Sequence, residues 1–136
     1  MKNSFFLRGK RKDNGEWVFG HYYEFMCKHY IFESPFTSKN LVYEVDPTTI
    51  CRCTGLDDKN GKLIWENDIV DGHIKRGAAF LNCLVLWNEC KARFDVRAKG
   101  CNFPMTLDEV AGDISMGGLD YEVVGNRFDN PELLEE

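Results

Sequence analysis

The sequence predicts a mainly β protein, and three observations carry that prediction. Short strand-like apolar runs recur along the chain, helical periods are few, and Gly, Asn, Asp and Pro turn signals recur about every ten residues. With 136 residues, 43% of them hydrophobic and 13% aromatic, the chain can bury a sizeable core as one domain or as two small ones.

Ser4–Leu7 reads as the first strand, Lys10–Gly15 as a polar turn and Glu16–Tyr23 as the second strand. His29–Phe32 and Leu41–Val45 are two further strand-like runs, separated by a loop over Glu33–Asn40. Pro47 stops the fourth run and hands the chain to Thr48–Cys53. The stretch Thr54–Val70, TGLDDKNGKLIWENDIV, then packs a hairpin, a second tight turn and the start of a buried strand into little sequence. Asn60-Gly61 is the pair that a two-residue hairpin turn wants, because both central residues take positive φ. Cys53–Leu56 and Lys62–Trp65 are therefore expected to pair antiparallel across it. Asn14-Gly15 repeats this turn chemistry, which predicts two hairpins of similar build. Glu66–Asp68 turns the chain again, and Ile69 and Val70 enter a strand that runs to Ile74.

Lys75–Ala78 is a small polar connection into Phe80–Trp87, FLNCLVLW, the most apolar run of the chain and a strand buried on both faces. After a turn at Asn88-Glu89, Cys90–Ala98 alternates Ala92, Phe94 and Val96 with Lys91, Arg93, Asp95 and Arg97, the pattern of a half-buried strand. Thr106 and Glu109 have capping-box spacing, which predicts a short helix over Leu107–Ile114. Tyr121–Val124 is the last strand. Asn130-Pro131-Glu132, an N-cap followed by Pro and an acid, starts a helical turn through Leu134.

Charge is unevenly spread. Residues 1–30 carry six Lys/Arg and three Asp/Glu, a balance of +3, whereas residues 108–136 carry one Arg and nine acids, a balance of −8. That polarity predicts that the terminal turn, through Leu133 and Leu134, docks near Arg8–Lys12, within a chain or between copies. The overall net charge of −5 disfavours non-specific nucleic-acid binding. No apolar run approaches the ~20 residues of a membrane span, and Met1–Ser4 leads into strand-like sequence without a signal-peptide core. A cytoplasmic protein without a membrane partner is expected, with Cys27, Cys51, Cys53, Cys83, Cys90 and Cys101 as thiols.

Little in the chain points to catalysis. Cys51 and Cys53 share a strand face, but a zinc site needs four ligands and no second close-set pair exists, so no metal or cofactor is expected. His21, His29 and His73 lie beside no nucleophile motif, and no glycine-rich phosphate loop is present. Lys10, Arg11 and Lys12, with Arg8 near, form the one basic cluster; Trp17, Tyr22 and Tyr23 flank it as candidate stacking residues for nucleic acid or a protein partner. The ordinary reading of the cluster is a solvated hairpin tip, and of the aromatic residues core and core rim.

The central stretch also resembles the signature of the YopX family, small proteins encoded by bacteriophages and prophages. The resemblance rests on Thr54, Gly55, Leu56, Asp58, Asn60, Gly61, Ile64, Trp65, Glu66, Asp68, Ile69 and Val70, with supporting blocks at Phe6–Gly20 and at Val124–Leu134, which includes Gly125 and Pro131. Asn67 stands where the family usually has Gly, a replacement the left-handed region tolerates. The resemblance implies a small SH3-like β-barrel over roughly Thr48–Phe128 with few short helices, giving an N-terminal β-hairpin region at 1–47 and a barrel region at 48–136. It supplies no catalytic residues. The expected function is a non-enzymatic interaction module in the bacterial host cytoplasm, binding a protein partner or itself as a homo-oligomer. A nucleic-acid-binding module is the alternative, and a thiol- or metal-dependent enzyme the third reading.

Overall fold

A computed structural model of the chain describes residues 6–33, 42–74, 79–99, 105–106 and 119–135. The protein is mainly β and divides into two compact units, Met1–Gly55 and Leu56–Glu136. The first holds β1 (Leu7–Lys10), β2 (Trp17–Phe25), β3 (Lys28–Glu33), β4 (Val42–Glu44) and most of β5 (Cys51–Asp57), in the antiparallel order β4-β3-β2-β1-β5. The sequence reading divides the chain at 47/48; Cys51 and Arg52 of β5 pair with Arg8 and Leu7 of β1, which draws β5 into the first unit.

Alternation along β2 decides the core of this unit. Val18, Gly20 and Tyr22 share one face, and Val18 packs with Ile31 and Val45 in a buried cluster flanked by Tyr22, Tyr43 and Ile50. Gly20 is required by close approach: a Cβ there would stand 2.0 Å from the carbonyl oxygen of Phe32 on β3. After β4, Val45 N–H donates to the His29 carbonyl and Asp46 N–H to the Lys10 carbonyl, so the chain bends from β3 back to the end of β1. Asp46 then caps a 3-10 turn at Pro47–Thr49 by accepting the Thr48 N–H.

The second unit contains β6 (Leu63–Trp65), β7 (Asp68–Ile74), β8 (Ala79–Asn88), β9 (Arg93–Arg97), β10 (Met105–Thr106) and β11 (Leu119–Asn126). Five of these form an antiparallel sheet in the order β10-β9-β8-β7-β11. Its core is Ile64, Val70, Cys83, Val85, Val96 and Tyr121, with Phe80, Phe94, Ala98 and Val123 against it. Cys83, Leu84 and Val85 are buried in succession, so β8 is covered on both faces there, whereas Leu81 near its start is 58% exposed. No closed barrel is formed among the described residues, and the helix expected over Leu107–Ile114 lies outside them.

Four local expectations are corrected. In the Asn60-Gly61 hairpin only Gly61 takes positive φ, +81°. Asp58 N–H donates to the Lys62 carbonyl and Gly61 N–H to the Asp58 carbonyl, which makes a type I turn closed by a left-handed glycine, a three-residue loop. The cause is Asp58, whose Oδ1 accepts the N–H groups of Asn60 (2.9 Å) and Lys62 (2.8 Å) and so favours the right-handed turn. Gly15 likewise takes φ +73° alone, at the end of a four-residue loop closed by Arg11 and Glu16. Asp95, one of the charged residues in the alternating run of β9, is 3% exposed and accepts from Asn88 Nδ2 and Arg93 Nε, both at 2.9 Å. Asn130 does not cap the terminal turn; its Oδ1 turns back to the Asn126 N–H at 3.2 Å.

Tyr121 is 5% exposed, and its hydroxyl has no hydrogen-bond partner among the described residues. Burial, with the nearby Cys83, pushes its pKa far above the ordinary tyrosine value. Because an unpaired buried hydroxyl costs free energy, Tyr121→Phe is expected to leave stability unchanged or raise it by about 1 kcal/mol in a urea titration. A clear loss of stability would show that the hydroxyl has a partner.

Candidate functional site

The basic cluster singled out in the sequence folds largely onto acids and rings of its own unit. Arg11 Nε and Nη2 bind the two Asp13 carboxylate oxygens at 2.9 and 2.5 Å, and the Arg11 guanidinium carbon lies 4.2 Å from the centre of the Tyr43 ring. That bidentate contact holds the Asp13 carboxyl below its ordinary pKa. Lys12 Nζ sits 3.3 Å from Glu44. Arg8 is 6% exposed with its guanidinium 4.4 Å above the Trp17 ring, and Lys10 Nζ is 5.4 Å from the same ring. Arg11 and Lys12 thus pair with Asp13 and Glu44 of their own unit. The terminal 3-10 turn Pro131–Leu134 packs against β8, and Lys99 Nζ donates to the Glu135 carbonyl.

What β2 and β3 present outward is a stripe of rings. Every second residue from Trp17 to Phe25 carries one: Trp17, Phe19, His21, Tyr23 and Phe25. Antiparallel register sets Tyr30 opposite Tyr23 and Phe32 opposite His21, and Val42 of β4 opposite Phe32. Directly opposed residues share a sheet face, so these side chains form one continuous surface. Tyr23 and Tyr30 stack with centroids 5.2 Å apart and planes 20° apart, His21 and Phe32 lie at 5.1 Å and 30°, and Phe6 meets the His21 ring edge-on at 5.0 Å. The surface is open: Phe19 is 45% exposed, Phe25 61% and Val42 41%.

The stripe ends at a strained tip. Phe25 pairs with Lys28 across a two-residue turn in which Met26 and Cys27 take φ +50° and +64°. This is the both-positive turn that the Asn-Gly pairs lead one to expect elsewhere, here built from two residues that the left-handed region disfavours. Met26 is 80% exposed, so an apolar, conformationally costly tip faces outward.

Of the stacking residues named from sequence, Trp17 and Tyr23 lie on this face. Trp17 lies beneath Arg8 and Lys10, and Tyr22 packs toward the core, its hydroxyl 2.6 Å from His29 Nδ1. Sequence reasoning missed Phe19, Phe25, Tyr30 and Phe32 as a set. The signal was the period-two ring pattern of WVFGHYYEF, set against Val18, Gly20 and Tyr22 on the other face.

The signature residues do structural work within strands as well as at turns. Gly55 takes φ +79° and Asn67 φ +70°, the left-handed geometry expected of it. Asp68 is 2% exposed and its Oδ2 accepts the Trp65 N–H at 2.8 Å, closing the turn between β6 and β7. A Cβ on Gly125 would stand 2.5 Å from Asn130 Oδ1, and Pro131 opens the terminal 3-10 turn. Cys51 and Cys53 are both buried; Cys51 Sγ donates to the Thr49 carbonyl at 3.2 Å and Cys53 Sγ accepts the Gly55 N–H at 3.3 Å. Among the described residues no cluster of three His, Cys, Asp or Glu is placed to hold a metal ion, and no helix is long and apolar enough to cross a membrane. Cys101 lies outside them.

A family model described as YopX protein matches residues 6–135. No curated protein matches the chain.

Proposed function

The chain belongs to the YopX family, and on that premise we propose that it is a non-enzymatic interaction module that docks a protein partner through the ring-bearing outer face and tip of β2 and β3. One observation carries this reading: a continuous stripe of rings, with Phe25 61% and Met26 80% exposed at its end, stands on a paired antiparallel sheet. Exposed apolar patches of this kind mark contact surfaces, and aromatic residues and Met are enriched in them. Phage or prophage origin and work in the bacterial host cytoplasm belong to the same proposal, as does an SH3-like character for the second unit, which rests on the family resemblance and on its five-stranded antiparallel sheet.

Stacked rings also suit single-stranded nucleic acid, the second reading. Against it, Arg11 and Lys12 are paired with Asp13 and Glu44, Arg8 is buried, and the chain carries a net charge of −5. A thiol enzyme is the least supported: Cys51, Cys53 and Cys83 are buried, and the exposed Cys27 and Cys90 belong to no cluster of three His, Cys, Asp or Glu among the described residues.

A photo-cross-linking residue at Phe25, with a second at Arg97 as control, tests the proposal in the bacterial host. The expected result is one dominant protein adduct from position 25, absent at 97 and lost in a Tyr23→Ser, Met26→Ser variant that keeps the parent circular dichroism spectrum. Equal labelling from both positions would refute the assigned face. Tight, steeply salt-dependent binding of an oligonucleotide, lost in the same variant, would put nucleic acid in the partner's place.

A further inference from the structure

β11 ends the strand order of its sheet, and such an edge offers unpaired backbone groups to any strand that meets it. Here two of those groups are taken. Lys59 N–H donates to the Tyr121 carbonyl at 2.9 Å, and Asp58 Oδ2 accepts the Val123 N–H at 3.0 Å. Tyr121 and Val123 are two residues apart, so the loop engages the strand at the spacing an added strand uses. The backbone N–H and C=O of Asp58 are spent closing its own hairpin on Lys62 and Gly61, and its carboxylate supplies the acceptor that a strand backbone would supply. Lys59 Nζ adds an ion pair to Glu122 at 3.4 Å. The other carboxylate oxygen holds the Asn60 and Lys62 amides, so one side chain both shapes the loop and seats it on β11.

We propose that the Asp58–Gly61 loop is a latch that closes the edge of β11 against pairing with the same edge of a second copy of the chain. A second copy is the fitting occupant because identical antiparallel edges pair about a two-fold axis with no further requirement on sequence. Val124, 37% exposed beside the bulge between Val123 and Gly125, adds apolar surface at that edge.

Lys59→Pro springs the latch. Lys59 occupies the first central position of the type I turn, where proline's fixed φ is favoured, so the hairpin keeps its form while the N–H to Tyr121 is lost. Amide exchange and sedimentation velocity are the readouts. The expected results are exchange at the Val123 amide faster by about tenfold or more, with the Val70 amide unchanged, and a concentration-dependent dimer beyond any assembly of the parent. Asp58→Asn, the milder change, should move both readouts in the same direction by less, which keeps the test open if the proline variant folds poorly. Lys59→Ala retains the backbone donor and loses only the partly exposed ion pair to Glu122, so it should move both readouts far less than Lys59→Pro. Protected Val123 and an unchanged assembly state in Lys59→Pro and Asp58→Asn would overturn the latch, as would equal dimerisation of Lys59→Ala.

Discussion

Replacing Gly20 by alanine is expected to be the most damaging small substitution in the first unit, costing about 3 kcal/mol or more and lowering the melting temperature by about 10 °C or more. The added Cβ would stand 2.0 Å from the Phe32 carbonyl oxygen and 3.1 Å from the Glu33 Cα. Both are backbone atoms of the paired strand β3, so no side chain can rotate away, and β2 and β3 must separate. Gly15→Ala supplies the contrast. Gly15 takes φ +73° with nothing within 4 Å of an added Cβ, so its cost is backbone strain alone, about 1 kcal/mol. Thermal melts of the two variants measure the difference. Equal melting temperatures would mean that β2 and β3 do not approach as described. The same separation would also break the ring surface, because Tyr23 and Tyr30 are opposed only through that pairing.

Asp58→Ala is expected to cost about 2–4 kcal/mol, since it strips the acceptor from three backbone N–H groups, those of Asn60, Lys62 and Val123. Burial opposes ionisation of this carboxyl, but the three donors, with Lys62 nearby, outweigh it and hold the pKa below the ordinary aspartate value. The sign of the pH dependence follows. A depressed folded pKa contributes stability that is fully present above the unfolded value, about 4, and is lost as pH falls through the lower folded value. Parent stability should therefore decline on acidification below about pH 4, and the Asp58→Ala variant, already weaker at neutral pH, should decline less steeply. Urea titrations of both proteins at a series of pH values check this. Parallel acid profiles would show that Asp58 is not the group responsible.

Much of the β architecture was legible because strand formation is written locally, in alternation and turn chemistry. The runs that became β2, β3, β7, β8, β9 and β11 were visible as apolar or alternating stretches, and Asn67 met its left-handed requirement in the structure as its place in the signature demanded. Family membership was legible for the same reason: its signature is a series of residues that each answer a local backbone need, Gly55 at positive φ within β5 and Asn60, Gly61 and Asp68 at turns.

Partners set by the tertiary structure, some near in sequence and some far, decided the remainder. Asn60-Gly61 alone favours a two-residue turn, and the Asp58 carboxylate, anchored on Val123 65 residues away, selects the three-residue form. Met26-Cys27 carries no turn signal, and its positive φ angles are imposed by the pairing of Phe25 with Lys28 and the register behind it. Asp95 reads as a surface charge until Asn88 and Arg93 close over it. The basic cluster reads as free charge until Asp13 and Glu44 are brought beside it. Above all, a strand with rings on one side and Val18, Gly20 and Tyr22 on the other does not declare which side is core. Composition favours burying the rings. Ile31 and Val45, arriving from β3 and beyond β4, pack on Val18, and that choice leaves Phe19, Tyr23 and Phe25 outward. Period-two patterning determines that two faces exist, and only the packing of distant strands determines which one meets solvent.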